Sequence, residues 1–293
     1  MTPETLPYAT ALCDVNELRM EFASAGKASQ PVVILLHGFP DLWQGWHFQI
    51  GPLVAAGYRV LAPNQRGYGA TTKPKGILSY GIDELANDVI AFADSQGCQT
   101  FCLVGHDWGG IVAWWVAARF PDRVTRLVIL NAPHPGIFFS YLLRHPGQVL
   151  RSWYIGFFQL PLLPEAILSA ANYSILFQSL KNTSQQGVFD ESDRKYLVAG
   201  WLQPGALTAM IDYYRAAARK SSNSLQQRIR NPTLILWGMH DSALQPGLAE
   251  VSLKLCENGR IVWLAHASHW IQREDPECVN HEILAFIHPT ASG

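Results

Sequence analysis

Thr100-Phe-Cys-Leu-Val104 runs without a break into Gly105-His106-Asp107-Trp108-Gly109-Gly110, and the reading of that junction decides the fold. The first five residues form a short apolar run ended by glycine, the pattern of a buried strand. From Trp108 to Phe120 the chain has the length and texture of a helix, which Pro121 stops. Glycines two residues before and two after Asp107 permit a sharp strand-to-helix turn, which holds its central side chain strained and exposed. That turn suits a nucleophile, and the residue in its place is an acid.

Working outward, the same alternation recurs. Pro31–Leu36, Arg59–Ala62 and Val124–Leu130 read as buried strands, with helical stretches at Asp41–Ala56 and Ile82–Gln96, the latter with Asp83 as its N-cap. It resumes late with Thr233–Trp237, Pro246–Cys256, Arg260–Ala265 and Asp275–Ile287 as strand, helix, strand, helix. Strands alternating with helices imply an α/β protein with a mostly parallel, doubly wound sheet. Between 134 and about 222 the chain is instead aromatic-rich, proline-punctuated and helical. The expected organisation is a core over residues 1–133 and 223–293 interrupted by a helical insertion at 134–222. Launched from the carboxyl end of a parallel strand, such an insertion covers the place where open α/β sheets bind ligands, which makes it a lid.

Composition narrows the function classes. The chain has 293 residues, 48% hydrophobic and 15% charged, with a net charge of −1. Charge this far below the roughly 25% of ordinary soluble domains excludes a disordered chain and points to ample buried or ligand-facing apolar surface. The densest basic group, Arg215 to Lys220 with Arg228 and Arg230, reads as a solvated helix face, so nucleic acid is not an expected partner. The opening Met1-Thr-Pro-Glu-Thr-Leu-Pro has no basic stretch leading into an apolar one, and no apolar run approaches the ~20 residues of a membrane span. Five cysteines without a Cys-x-x-Cys pair argue against disulfide scaffold and zinc site, and fit a reducing cytoplasm.

Three more motifs complete the chemistry. Trp237-Gly238-Met239-His240-Asp241 puts an acid just past a strand end, and His266-Ala267-Ser268-His269-Trp270 follows the last strand. Asp107, Asp241 and His269 thus follow the chain order nucleophile, acid, histidine. His37-Gly38-Phe39-Pro40-Asp41, just after Pro31–Leu36, stands where one oxyanion-hole N–H is supplied, so the Phe39 and Trp108 amides are the expected donors. The Phe39-Pro40 bond, in so tight a turn, is a candidate cis peptide. His37, His106 and His134 read as loop braces.

With these motifs in hand, the chain resembles the α/β-hydrolase-fold epoxide hydrolases over nearly its whole length. The matching stretches are His37–Asp41, Gln65-Arg66-Gly67-Tyr68-Gly69, Gly105–Gly110, Asn131-Ala132-Pro133-His134-Pro135, the Asp241 turn and His269-Trp270. In that family two lid tyrosines bind and protonate the epoxide oxygen. The resemblance carries these roles to Tyr154, in Trp153–Pro161, and to Tyr214, in Asp212-Tyr213-Tyr214-Arg215, with Tyr213 the alternative to Tyr214. It implies catalysis by Asp107, Asp241, His269, Tyr154 and Tyr214, with substrate bound against Phe39, Trp108 and both tyrosines. It calls for no cofactor or metal. The implied partner is a small apolar epoxide, and a homodimer is compatible with the chain.

The chemistry fits the residue types. A carboxylate is already ionised and attacks an sp³ carbon without a base, leaving an alkoxide that needs a proton donor. A phenol, with pKa near ~10, stays protonated at neutral pH and can supply one. Two other readings use the same fold. A haloalkane dehalogenase shares the aspartate nucleophile but needs side-chain N–H donors for halide. Phe39 supplies none, and Gly109 and Gly110 stand where a fluoroacetate-type enzyme has arginines. A non-catalytic ligand-binding protein would be expected to lack a triad or lid residue. A serine esterase is excluded by Asp107 itself.

Overall fold

A computed structural model describes residues 8–219 and 227–288. Eight strands form one sheet: β1 (Ala9–Val15), β2 (Leu18–Ala25), β3 (Val32–Leu36), β4 (Arg59–Pro63), β5 (Phe101–His106), β6 (Val124–Leu130), β7 (Thr233–Gly238) and β8 (Gly259–Leu264). Their spatial order is β1-β2-β4-β3-β5-β6-β7-β8, with the β1–β2 and β2–β4 pairs antiparallel and all later pairs parallel. Every strand expected from the sequence is present. The β1–β2 hairpin was not expected: its Leu18, Met20 and Phe22 are buried while Arg19 between them is exposed, an alternation spread over too few residues to stand out.

Strand β5 is buried along its entire length, because β3 and β6 flank it and helices cover both faces. One face carries α1 (His47–Ala55), α11 (Ile271–Glu274) and α12 (Pro276–Ile287), packing Ile50, Ile271 and Ile283 onto the side of the sheet with Val33, Leu35 and Val104. The other carries α2 (Ile82–Ser95), α3 (Trp108–Arg119) and α10 (Gly247–Leu253), with Phe92, Trp114 and Leu248 in the main core. Each such side chain contributes about 1.5–3 kcal/mol by leaving water. Gly81, not Asp83, precedes α2. Asp83 lies in its first turn, where its carboxylate favours the positive helix end and accepts the Trp115 indole N–H at 2.7 Å.

Between β6 and β7 come α4 (Pro135–Leu142), α5 (Pro146–Arg151), α6 (Trp153–Phe157), α7 (Leu163–Asn182), α8 (Glu191–Trp201) and α9 (Ala206–Arg219). The helical texture from residue 134 onward is therefore matched. The expected boundary at 222/223 lies outside the described residues, as do the Met1–Pro7 stretch and Lys220. Helix α7 is broken at Ala170–Tyr173, where Ala171, Asn172 and Tyr173 adopt left-handed φ values of 49°, 53° and 60°. The inserted helices are tied to the core by polar side chains. Trp201 donates to the Pro40 carbonyl at 2.7 Å, and buried Arg273 bridges Asp193 of α8 at 2.9 Å to Asp41 at 3.6 Å. Among the described residues, no helix is long and apolar enough to cross a membrane.

Candidate active site

The sheet order reverses between β3 and β5, since β3 continues to β4 on one side while β5 lies on the other. The loops leaving their carboxyl ends open a crevice there, the usual place for a ligand in such sheets. The β5 loop supplies Asp107, held at φ 51°, ψ −122°. A conformation of this kind costs a non-glycine residue about 1–3 kcal/mol. The glycines around it are required by space. A Cβ on Gly105 would meet the Gly109 carbonyl at 2.3 Å, and one on Gly109 would meet the Leu36 carbonyl at 2.1 Å.

The β3 loop reaches Asp107 from the other side. Phe39 donates its N–H to Asp107 Oδ1 at 2.8 Å, and Gly38 lies so close that an added Cβ would stand 2.4 Å from the Asp107 Cβ. The Phe39-Pro40 bond is cis. Trp108 is the first residue of α3, so its N–H has no acceptor within the helix and is free to serve Asp107. The Phe39 ring does not line the cavity. It packs edge-on against Tyr214 and Phe158, with centroids 5.4 and 5.6 Å away.

His269 stands behind Asp107. Its Nε2 is 3.6 Å from Asp107 Oδ2, and its Nδ1 donates to Asp241 Oδ2 at 2.7 Å. Asp241 is fixed in turn: Oδ1 accepts the Ala243 and Leu244 amides at 2.7 and 2.9 Å, and Oδ2 also accepts the Asn131 side-chain amide at 2.6 Å. Asn131 accepts the Gly238 N–H at 3.0 Å through its own Oδ1. The motif Asn131-Ala132-Pro133-His134-Pro135 by itself assigns Asn131 no role. The available signal was its place at the end of β6, beside the strand that carries Asp241.

Electrostatics follow from this geometry. Burial by itself would raise the carboxyls of Asp107 and Asp241, but His269 and the hydrogen bonds outweigh it and hold both below the ordinary range. Burial would lower His269, yet Asp241 and Asp107 on either side raise it well above 6.5. The two carboxylates thus favour the protonated form of the imidazole. His37, His106 and His134 differ: burial pushes them down to about 4, 3 and 4, so they are neutral. Each contacts the loop backbone: His37 accepts the Gln65 N–H at 3.2 Å, His106 Nε2 meets the His269 carbonyl at 2.9 Å, and His134 accepts the Gly136 N–H at 3.1 Å.

From the inserted helices come Tyr154 on α6 and Tyr214 on α9, their rings 5.9 Å apart and nearly perpendicular. Both line the same cavity as Asp107. Burial first, and the Asp107 charge second, raise both phenols above 10, so both are protonated. Tyr213 also borders the cavity, but its hydroxyl donates to the Arg66 carbonyl at 2.7 Å. The cavity encloses about 100 Å³ accessible to the centres of water molecules and runs past Trp108, Ile111, Phe138, Ile155 and Leu244. Asp107 is the charged residue among its lining.

The basic cluster is not a uniform solvated face. Arg219, Arg228 and Arg230 are exposed, but Arg215 is buried and salt-bridged to Glu165 at 2.7 Å and Asp212 at 3.1 Å. A charge pattern alone does not reveal a partner fifty residues away.

Comparison with known proteins agrees with the architecture. A family model described as alpha/beta hydrolase fold matches residues 31–276. An AB hydrolase superfamily protein of Bacillus subtilis is 40% identical over 274 residues, which is 94% of this chain and 96% of that protein. Epoxide hydrolase 4 of Homo sapiens is 37% identical over 278 residues, 92% of this chain and 76% of that protein. Among solved structures, one described as novel epoxide hydrolases from metagenomes of hot environments superposes with a TM-score of 0.87 at 31% identity, covering 97% of this chain and 99% of the other. The epoxide hydrolase of Bacillus megaterium in complex with an inhibitor gives 0.86 at 29% identity, covering 94% and 99%. With its fold, its acid-bearing elbow and these similarities agreeing, the chain belongs to the α/β-hydrolase-fold epoxide hydrolase family.

Proposed function

We propose that the protein hydrolyses a small apolar epoxide to a vicinal diol through an alkyl ester on Asp107, with the helical insertion at 134–222 serving as the lid. One observation carries this reading: the Asp107 carboxylate and two protonated phenols, Tyr154 and Tyr214, face one apolar cavity. An anionic nucleophile paired with neutral acids is what ring opening needs. A halide has no use for a proton, so the phenols favour epoxide over haloalkane.

In the first half-reaction the phenols hydrogen-bond the epoxide oxygen while Asp107 Oδ2 attacks a ring carbon. The C–O bond breaks as the ester bond forms, and a tyrosine gives its proton to the alkoxide. Asp107 is now neutral. His269 thereby loses one of the two carboxylates that raise it, and its proton returns to the tyrosinate, leaving a neutral imidazole.

In the second half-reaction neutral His269, oriented by Asp241, takes a proton from water. The hydroxide adds to the ester carbonyl, whose oxygen Oδ1 is held by the Phe39 and Trp108 N–H groups, each worth about 3 kcal/mol by analogy with other oxyanion holes. Collapse expels the diol oxygen, which is protonated by His269. The carboxylic acid left on Asp107 then returns its proton to His269, restoring the resting ion pair. The test is a single turnover in heavy-oxygen water. Unlabelled diol is expected, because its new oxygen comes from Asp107; labelled diol from the first turnover means direct attack by water and overturns the ester.

A further inference from the structure

Tyr154 and Tyr214 sit on separate helices, so their spacing depends on whatever joins α6 to α9. We infer that Arg215 is a positioning residue for the phenol pair: its guanidinium locks the end of α6 to α9 and so sets where Tyr154 stands relative to Tyr214. The inference rests on the epoxide-opening role proposed for the two phenols.

The contacts converge on one side chain. Arg215 follows Tyr214 directly, and its Nε donates to the Phe158 carbonyl at 2.9 Å while Nη2 donates to the Leu160 carbonyl at 2.8 Å. Phe158 is the C-cap of the five-residue helix α6, whose last carbonyls lack helical partners, and a cation at that end satisfies them and the helix dipole together. The same guanidinium grips both oxygens of Glu165, in the first turn of α7, at 2.7 and 3.1 Å, and Asp212 one turn back on α9 at 3.1 Å. Gln159 adds a 3.3 Å bond to the Tyr214 carbonyl.

A helix of five residues has little intrinsic stability, since nucleation alone is unfavourable. Helix α6 also buries none of its residues fully, so packing does little to hold it. Its orientation therefore depends on this clamp. Only a planar fork reaches two carbonyls and a carboxylate at once; lysine keeps the charge but offers one point donor. The Asp107, Asp241 and His269 groups lie on core loops away from the clamp, so it bears on the first half-reaction alone.

The experiment is a double-mutant cycle, with styrene oxide as probe and rapid-quench mass spectrometry separating ester formation from ester hydrolysis. Arg215→Lys is expected to slow ester formation about tenfold, a part of the ~10²-fold available from one general acid, and to leave ester hydrolysis unchanged. In a Tyr154→Phe background the same substitution should cost less than about twofold, because coupled residues are non-additive. The loss in Tm should be equal in both backgrounds. Glu165→Gln, which leaves both carbonyl bonds in place, should give a smaller loss with the same dependence on Tyr154. Equal losses in the two backgrounds, or parallel losses in both half-reactions, would overturn the positioning role. A wild-type protein that forms no ester overturns the epoxide reading and this inference with it, whereas a competent wild type with additive losses overturns this inference alone.

Discussion

The Tyr213 hydroxyl donates a 2.7 Å hydrogen bond to the carbonyl of Arg66, 147 residues earlier in the chain. Its neighbour Tyr214 is turned about 100° around the helix axis, and its ring packs against Trp108 at 5.0 Å and Phe39 at 5.4 Å beside Asp107. Adjacent, chemically identical side chains are thus placed differently: the Tyr213 hydroxyl is bound to the backbone, while the Tyr214 ring packs between Phe39 and Trp108.

That division predicts opposite outcomes for the same chemical change. Tyr213→Phe strands a buried carbonyl and should lower unfolding free energy by about 1–3 kcal/mol, with ester formation nearly unchanged. Tyr214→Phe or Tyr154→Phe should lose roughly 10²-fold in epoxide opening with little change in stability, and the double variant more. Denaturant titration beside stopped-flow kinetics reads both quantities. A Tyr214→Phe protein that opens epoxides at the wild-type rate removes that residue from the mechanism.

In the proposed mechanism His269 acts only once the ester exists. His269→Gln should therefore alkylate and stop, and intact-protein mass spectrometry should find a persistent adduct one epoxide heavier. Asn131→Gly keeps the backbone freedom required at its φ of 42° and removes the amide that holds Asp241, together with its bonds to the Gly238 N–H and the Ser268 carbonyl. It should slow ester hydrolysis about tenfold or more, the equivalent of a charge-assisted hydrogen bond of ~1.5–3 kcal/mol, while ester formation stays within about threefold. Loss of ester formation in either variant contradicts the division of labour.

The pH dependence has a definite sign. Asp107 is held below the ordinary carboxylate value, so it stays ionised to lower pH than a free aspartate; Tyr154 and Tyr214 are raised, so they stay protonated to higher pH than a free tyrosine. Ester formation should be flat between about pH 5 and 9, with its acid limb below about 4 and its basic limb above about 10. Rapid-quench profiles across that range would expose a limb near neutrality, which is incompatible with these assignments.

Much of this was legible in the chain because it depends on local stereochemistry. The Asp107 elbow needs glycine at 105 because a Cβ there would meet the Gly109 carbonyl four residues on, and strands β3 to β8 announce themselves as apolar runs. The β1–β2 hairpin escaped because β1 is largely exposed and its pattern correspondingly weak. Asp83 read as an N-cap because the residue type suits the position, whereas Gly81 occupies it by backbone conformation.

By itself the sequence determined the α/β alternation, the inserted helices and the order of Asp107, Asp241 and His269, all of which follow from periodicity and turn chemistry. Only the tertiary structure decided that the Tyr213 hydroxyl is bound to the Arg66 carbonyl, that Asn131 hydrogen-bonds Asp241, and that Arg215 is buried and salt-bridged and not a solvated cation. Those three outcomes depend on partners at Arg66, Asp241 and Glu165, brought close by the packing of separate elements. Pairing across such distances leaves no local pattern, because its free energy comes from burial and hydrogen bonds that exist only after the chain has folded.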